Sequence, residues 1–327
     1  EGSLRREAKI LKITVRLVDC RTGLQVWGEQ YQGRLSPAKL ISFQEEIAQQ
    51  IAARIGSEYG IIFRQLSQES RKKPPESLDT YEVCLGFYYH VKVLTPATFV
   101  PVLQGLERAV TQEPDCGLAW SMLAHMYCMN YALQFAPQVE TPLEKALTFA
   151  RKGVALEPRN QQVRTTMAAL YFHLNDLDQS LLEMEQALAL NPNSPLHISY
   201  LGWLLALTGE WDRGLAILKK GLELNPYYPG WFRMAPCLAF YRLGQDSDAL
   251  REAYQFQMPQ LFWDPLLRAA VLGRLQRQLE AAQTVAELLR LKPAFPTQGR
   301  FLIGCYVKSP QLAADLLAGL RLAGLII

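Results

Sequence analysis

The sequence lacks the residue patterns that most enzymes and metal proteins need. Its six cysteines, at positions 20, 84, 116, 128, 237 and 305, include no CxxC pair, and its four histidines form no HxxxH or HExxH pair. A zinc site needs such ligand pairs, and a GxGxxG or GxxxxGK[ST] loop that would cradle a nucleotide is missing as well. We therefore predict no catalytic residues, no metal, no cofactor and no disulfide framework.

Long apolar runs and a large excess of one charge are also missing. No run of 18 uncharged apolar residues occurs, because Asp315 and Arg321 interrupt the apolar C-terminus, so we expect no membrane segment here. Lys and Arg total 34 against 31 Asp and Glu, and a net charge of +3 argues against nucleic-acid binding. The chain begins at Glu1 without a methionine, so we expect a fragment. A cytoplasmic location is favoured, and a periplasmic one stays open if a membrane segment lies upstream.

The first 31 residues alternate between apolar and polar side chains, which is the pattern of half-buried strands. Residues 10–18 and 24–31 are predicted to form an antiparallel hairpin, with residues 2–7 as a neighbouring strand. The turn Asp19–Gly23 connects the hairpin, and Gly23 is expected to adopt a positive φ.

A helix and then a linker are predicted after these strands. Ser36 is a suitable N-cap with Pro37 at the first helical position, and isoleucines at helical spacing carry the helix to about Ser57. Residues 1–66 thus form a small α/β unit. The polar segment that follows contains two adjacent prolines and predicts a linker over residues 67–79.

The rest of the sequence carries a repeat of about 34 residues. Prolines recur at intervals of 44, 34, 34, 33 and 34 residues, at Pro114, Pro158, Pro192, Pro226, Pro259 and Pro293. Each unit is interpreted as a helix–turn–helix pair that ends where proline cannot continue the helix, and neighbouring pairs must stack to bury their apolar faces. An insertion near residues 133–142 explains the interval of 44. We predict a repeat array over residues 80–295 and capping helices over residues 296–327.

This repeat resembles the tetratricopeptide repeat (TPR). Trp120, Ala124 and Tyr127 occupy repeat positions 4, 8 and 11, where a large–small–large set lets two helices approach closely. The predicted fold class is therefore mainly α: a TPR superhelix, or α-α solenoid, preceded by a small α/β fragment.

A second resemblance covers nearly the whole chain. The segments GSLRRE, KITVRLVDCRTGLQVWGEQYQG and FQEEIAQQIA are similar to the second half of the TolB-like domain that precedes TPR arrays in bacterial signalling proteins. Such proteins include class III adenylate cyclases and winged-helix transcription activators, and the closing SPQLAADLLAGLRLAGL resembles their final helix. The resemblance implies a regulatory or scaffolding module. A fragment of a nucleotide cyclase or of a winged-helix regulator, with its output domain outside this chain, is the alternative.

The predicted binding site is the concave face of the superhelix. Repeat positions 2, 5, 9 and 12 tend to face this groove, and they include Ser121, His125, Thr165, Phe172, Ser199, Trp203, Arg233 and Phe240. This set is not a Lys/Arg clamp for a peptide carboxylate; it suits an extended or helical peptide held by aromatic anchors, of which Trp203 is the best candidate. The expected partner is thus a peptide or protein. The alternative is a groove filled by the N-terminal lobe or by a second copy, so a homo-oligomer stays open.

Overall fold

The computed structural model describes residues 1–7, 10–34 and 40–327, and it opens with a three-stranded antiparallel sheet of order β1-β2-β3. The strands are β1 (Gly2–Glu7), β2 (Ile10–Val18) and β3 (Gln25–Arg34). These confirm the predicted hairpin and its neighbour. Gly23 has a φ of 71°, and its amide donates to the carbonyl of Asp19 at 2.8 Å. A residue with a Cβ is rarely stable at that φ, which explains the glycine.

One face of the sheet is apolar and packs towards the first helix. Leu11 pairs with Gly33 and Ile13 with Tyr31, so these side chains share a face, and Leu11 and Tyr31 are buried. Helix α1 spans Leu40–Gly56, and its Arg54 forms an ion pair with Glu29 of β3. The predicted cap Ser36 and Pro37 lie outside the described residues.

Antiparallel helices pack in succession along the rest of the chain. After α1 they are α2 (Ile61–Ser70), α3 (Thr80–Val93), α4 (Pro96–Gln112), α5 (Gly117–Leu133), α6 (Pro142–Leu156), α7 (Gln161–His173), α8 (Leu177–Leu190), α9 (Pro195–Leu207), α10 (Trp211–Leu224), α11 (Met234–Arg242), α12 (Asp246–Phe256), α13 (Trp263–Arg274), α14 (Gln278–Leu291), α15 (Phe295–Gly304) and α16 (Pro310–Leu322). Each of the six repeat prolines lies between two helical hairpins, as predicted. The chain is an α-helical solenoid preceded by a small α/β unit.

Two repeats differ locally from the regular helix–turn–helix pattern. The inserted segment after α5 is a loop over residues 134–141, as the 44-residue interval indicates. In the fourth repeat, the chain forms a 3-10 turn over Gly230–Arg233 and then begins α11. Pro236 thus falls in the first turn of a helix, where its missing N–H removes no hydrogen bond.

The N-terminal unit docks on the edge of the solenoid. The side-chain amide of Asn225 donates to Ser57 Oγ at 2.8 Å, and the Arg64 guanidinium lies 4.2 Å from the centre of the Tyr227 ring. Ala53 packs with Ile198 and Leu224. Residues 67–70 belong to α2, although the sequence placed them in the linker; the domain boundaries themselves stay a prediction.

The solenoid curves so far that its second hairpin meets its last. The Tyr131 and Phe301 rings contact edge to face with centroids 5.3 Å apart, and Lys292 Nζ donates to the carbonyl of Leu133 at 3.3 Å. We call this contact between α5 and the α14–α15 end the seam. The seam closes the solenoid on itself, so side chains on its concave face become part of a buried interior.

Two expected absences concern the described part of the chain. None of its helices combines the length and the apolar character needed to cross a bilayer. All six cysteines are free thiols: Cys84, Cys128, Cys237 and Cys305 are buried, and Cys20 is exposed.

Helices α9 and α10 cross at two glycines. A Cβ built on Gly202 would lie 2.5 Å from the amide nitrogen of Leu218 and 2.7 Å from the carbonyl oxygen of Gly214. Both contacts are with backbone, which cannot rotate away. The sequence predicts this approach, since both glycines fall at the small-residue positions of the repeat.

We expect Gly202→Ala to lower the free energy of unfolding by about 1–3 kcal/mol, because the two helices must separate to admit the methyl group. Gly304→Ala is the matched control: nothing lies within 4 Å of its built Cβ, so stability should stay the same or rise slightly. Urea denaturation followed by circular dichroism measures both. Equal stability of the two variants would contradict the close crossing.

Candidate functional site

The residues predicted to line a peptide groove lie mostly inside the solenoid. Ser121, His125, Thr165, Phe172, Ser199 and Trp203 are all at most 8% exposed, while Arg233 and Phe240 are half-buried. The structure does not bring all eight together: Ser121 packs against Gly153 of α6 and Ser199 against Gly221 of α10, and Arg233 forms an ion pair with Glu252 of α12. They are not an open groove, so their role as a peptide site stays a prediction that requires the interior to open.

Aromatic side chains fill this interior. Trp203 stacks on Tyr200 with ring centroids 5.8 Å apart and contacts Trp231 and Tyr306 edge to face. Tyr306 also contacts Trp263, and the Trp231 indole donates to the carbonyl of Val91 at 2.8 Å. First helices of successive hairpins, together with the loop after α15, supply these rings. The alternative interpretation filled the groove with the N-terminal lobe or a second copy, whereas these rings belong to the array itself.

A small cavity of about 50 Å³ remains between these rings, and we call it the central cavity. Its aromatic and imidazole lining consists of His125, His173, Tyr200, Trp203, Trp231, Phe256, Trp263 and Tyr306, with aliphatic residues, methionines and Cys128 between them. Among the residues that the structure describes, no Asp, Glu, Lys or Arg lines it. The cavity therefore favours an uncharged occupant.

Burial keeps the histidines of this region neutral. It lowers the pKa of His125 to about 4, and it lowers the pKa of His173 to about 3 with help from the nearby Lys308 ammonium. The pKa of His90, on α3, falls to about 3 for the same reason, with His125 adding to the effect. An imidazole that is neutral at pH 7 can both donate and accept a hydrogen bond.

The interior provides no catalytic set among the described residues. Ser121 and His125 are one helical turn apart, but neither Ser121 Oγ nor His125 Nδ1 has a hydrogen-bond partner, so they do not form a nucleophile–base pair. No group of three His, Cys, Asp or Glu in the described ranges is placed to hold a metal ion.

An open groove runs along the antiparallel pair of α2 and α3. Its two ends have volumes of about 260 Å³ and 200 Å³ and share Ser67, Arg71 and Tyr89. We call it the α2–α3 groove. Its first end is lined by Glu58, Tyr59, Phe63, Arg64, Ser67, Gln68, Arg71, Tyr88, Tyr89, Lys92 and Val93.

Three cations of this groove have no ion pair with a described carboxylate: Arg64, Arg71 and Lys92. The Arg71 guanidinium lies 3.8 Å from the centre of the Tyr89 ring, and its Nε donates to the carbonyl of Ser67 at 3.1 Å. Arg64 Nε is buried without a hydrogen-bond partner in the described chain. Burial, and then the nearby Arg64 charge, lower the pKa of the Lys92 ammonium.

Two carboxylates also line the groove, and only one of them is fully engaged. Glu82 pairs with Lys73 and accepts from the amide of Asp79 in a helix-capping box. Glu58 Oε1 lies 3.7 Å from His197 Nδ1, but that nitrogen bonds to Ser194 Oγ, burial lowers the pKa of the imidazole, and Glu58 Oε2 is buried without a hydrogen-bond partner in the described chain. The groove is thus a cationic crevice with tyrosine walls. The sequence did not predict this groove, because the basic triplet at residues 71–73 lies in the predicted linker. The nearby tyrosines Tyr88 and Tyr89 are the signal that could have revealed it.

No family model matches this chain, and no curated protein matches it. Among solved structures the chain is similar to YrrB, described as a TPR protein with an unusual peptide-binding site, with 14% identity over 65% of this chain and 97% of YrrB and a TM-score of 0.35. It is also similar to a tetratricopeptide repeat protein from Parabacteroides merdae (16% identity, 80% and 100% covered, TM-score 0.40). For the TPR domain of P58(IPK) the identity is 10%, with 86% and 97% covered and a TM-score of 0.24. The class of the chain, a helical-repeat solenoid, is defined by its own stacked hairpins.

Proposed function

We propose that this chain is a non-enzymatic protein-interaction module and that its partner binds in the α2–α3 groove through an acidic segment with aromatic or aliphatic side chains. The observation that carries the proposal is the convergence of Arg64, Arg71 and Lys92 beside tyrosines, where none of the three forms an ion pair with a described carboxylate. Like charges held together cost free energy, which an anionic partner would recover.

The groove offers both kinds of contact that such a segment needs. Carboxylates of the partner would meet the guanidinium groups, which bind planar anions through two parallel hydrogen bonds. The half-buried rings of Phe63 and Tyr89 would receive apolar side chains. Peptide binding in the concave face would require the seam to open, so the α2–α3 groove is the better site.

The wider role rests on the resemblance to regulatory regions of bacterial signalling proteins. We propose that the module regulates an output activity encoded elsewhere in the same protein. The sequence that precedes Glu1 in the gene distinguishes the alternatives: a cyclase domain, a winged helix or neither.

A binding assay with a designed probe tests the groove. The probe is a fluorescein-labelled peptide in which Glu and Asp alternate with Leu and Phe, and its partner control carries Lys at every acidic position. We expect the acidic peptide to bind the wild-type chain and the double variant Arg71→Gln, Lys92→Gln to bind it roughly thirtyfold more weakly, about 1 kcal/mol for each lost charge contact.

The double variant Lys219→Gln, Lys220→Gln is the matched control, since both lysines are exposed on α10 away from the groove. It removes the same net charge and should leave the affinity unchanged. The proposal fails if the acidic peptide does not bind at low salt, or if the two double variants weaken binding equally.

A further inference from the structure

The first end of the α2–α3 groove carries an excess of positive charge. Three cations, Arg64, Arg71 and Lys92, and one carboxylate, Glu58, line it, so its formal net charge is +2. A single carboxylate of a partner would neutralise half of this charge. A phosphoryl group carries about −1.5 to −2 at pH 7 and would neutralise nearly all of it.

The three cations are close to one another around Lys92. Burial, and then the nearby Arg64 charge, lower the pKa of the Lys92 ammonium. The Arg71 guanidinium lies 3.8 Å from the centre of the Tyr89 ring, and Tyr89 precedes Lys92 by three residues on α3, so the two share a helix face. An anionic group beside Lys92 is therefore within reach of both guanidinium groups.

These cations also have hydrogen-bond donors to offer. Arg71 donates through Nε to the carbonyl of Ser67, while its terminal nitrogens and the Lys92 ammonium make no hydrogen bond within the described residues. Arg64 Nε has no partner there either. Guanidinium groups bind phosphoryl oxygens through paired hydrogen bonds, and a phosphoryl group presents three strong acceptor oxygens.

The second end of the groove, which shares Arg71 with the first, has no such excess. Its other charged residues are Lys73 and Glu82, and these two pair with each other. Its apolar lining consists of Pro75, Leu78, Val83, Ala97, Pro101 and Val102. A phosphoryl group therefore suits the first end, and an apolar side chain of the same segment suits the second.

We propose that the anionic group bound in the first end is a phosphorylated side chain of the partner segment, so that phosphorylation of the partner controls its binding. This inference rests on the proposed function of the same groove and names the chemistry of its partner. Glu58 leaves room for such a group: it precedes α2 and lies against His197 of α9, whereas Arg71 follows α2.

Four fluorescein-labelled peptides test the proposal on the full chain. They share one sequence of leucine, phenylalanine and neutral polar residues, and the central position carries phosphoserine, Glu, Ser or a pair of adjacent glutamates. The pair supplies the charge of phosphoserine without its shape. By fluorescence anisotropy we expect phosphoserine to bind about tenfold more tightly than the glutamate pair, because one compact group meets several donors at once, and Ser to bind most weakly.

Lys92→Gln should reduce this tenfold preference to about twofold. Lys72→Gln is the matched control, since Lys72 is exposed, follows Arg71 directly and lines neither end of the groove. It removes the same charge and should keep the preference. If Lys92→Gln does not fold, the four peptides on the wild-type chain still decide.

Three results would overturn the proposal. Equal affinity for phosphoserine and the glutamate pair would leave a groove for acidic segments that does not distinguish a phosphoryl group, so the proposed function would stand. No binding of any peptide at low salt would remove the proposed function as well. An equal loss of preference in Lys92→Gln and Lys72→Gln would show a long-range effect of charge instead of a site.

Discussion

Acidification from pH 7.5 to pH 4.5 should remove much of the folding stability of this chain. The pKa values of His90, His125 and His173 lie at about 3, 4 and 3 in the folded state, against about 6.5 in an unfolded chain. Below pH 6.5 these histidines are therefore protonated in the unfolded state, while they stay neutral in the folded state. The stabilisation is fully present above about pH 6.5 and is lost as the pH falls towards 3–4.

The expected effect is large. Each unit of pH between the two pKa values lowers the free energy of unfolding by about 1.4 kcal/mol per histidine, so three histidines approach 8 kcal/mol as an upper bound at pH 4.5. Urea denaturation at intervals of half a pH unit measures the slope. His125→Phe, which fills a similar volume without titrating, should reduce that slope by about one proton. A profile that stays flat between pH 7.5 and pH 5 would show that the histidines are not buried as described.

Trp203→Ala should destabilise the fold by about 3–5 kcal/mol, because it leaves a large void beside Tyr200, Trp231 and Tyr306. A side chain that served only as an exposed peptide anchor would instead cost little stability when truncated.

Thermal and urea denaturation of Trp203→Ala, beside Leu279→Ala, distinguish the two roles. Leu279 is 77% exposed, so its truncation should change stability by less than about 0.5 kcal/mol. Unchanged stability of Trp203→Ala together with a loss of peptide affinity would restore the open-groove hypothesis.

The architecture of the repeat was predictable from the sequence because its determinants are local. A proline between hairpins, or a glycine such as Gly202 at a helix crossing, acts within one repeat. The 34 residues of a repeat therefore contain all the residues that determine its helical hairpin. The turn at Gly23 is predictable for the same reason.

The state of the candidate site was not predictable in this way. The sequence predicts that Trp203 lines an open groove, but whether any inner surface is open depends on how far the solenoid curves, and Trp203 is buried. Curvature accumulates from small rotations between successive hairpins, and no single segment encodes their sum. The contact of Tyr131 with Phe301 joins residues 170 positions apart in the numbering, beyond the reach of any periodicity.

The seam changes how this solenoid should unfold. In an open repeat array each hairpin contacts only its neighbours, so the ends fray and the array loses repeats one at a time. Here the last hairpin is held by the second through Phe301 and Lys292, and the loss of either end exposes the shared aromatic interior. We therefore expect one cooperative transition rather than a stepwise one. We also expect this chain to fold more slowly than an open repeat array, because the seam forms only after a loop of more than 150 residues has closed.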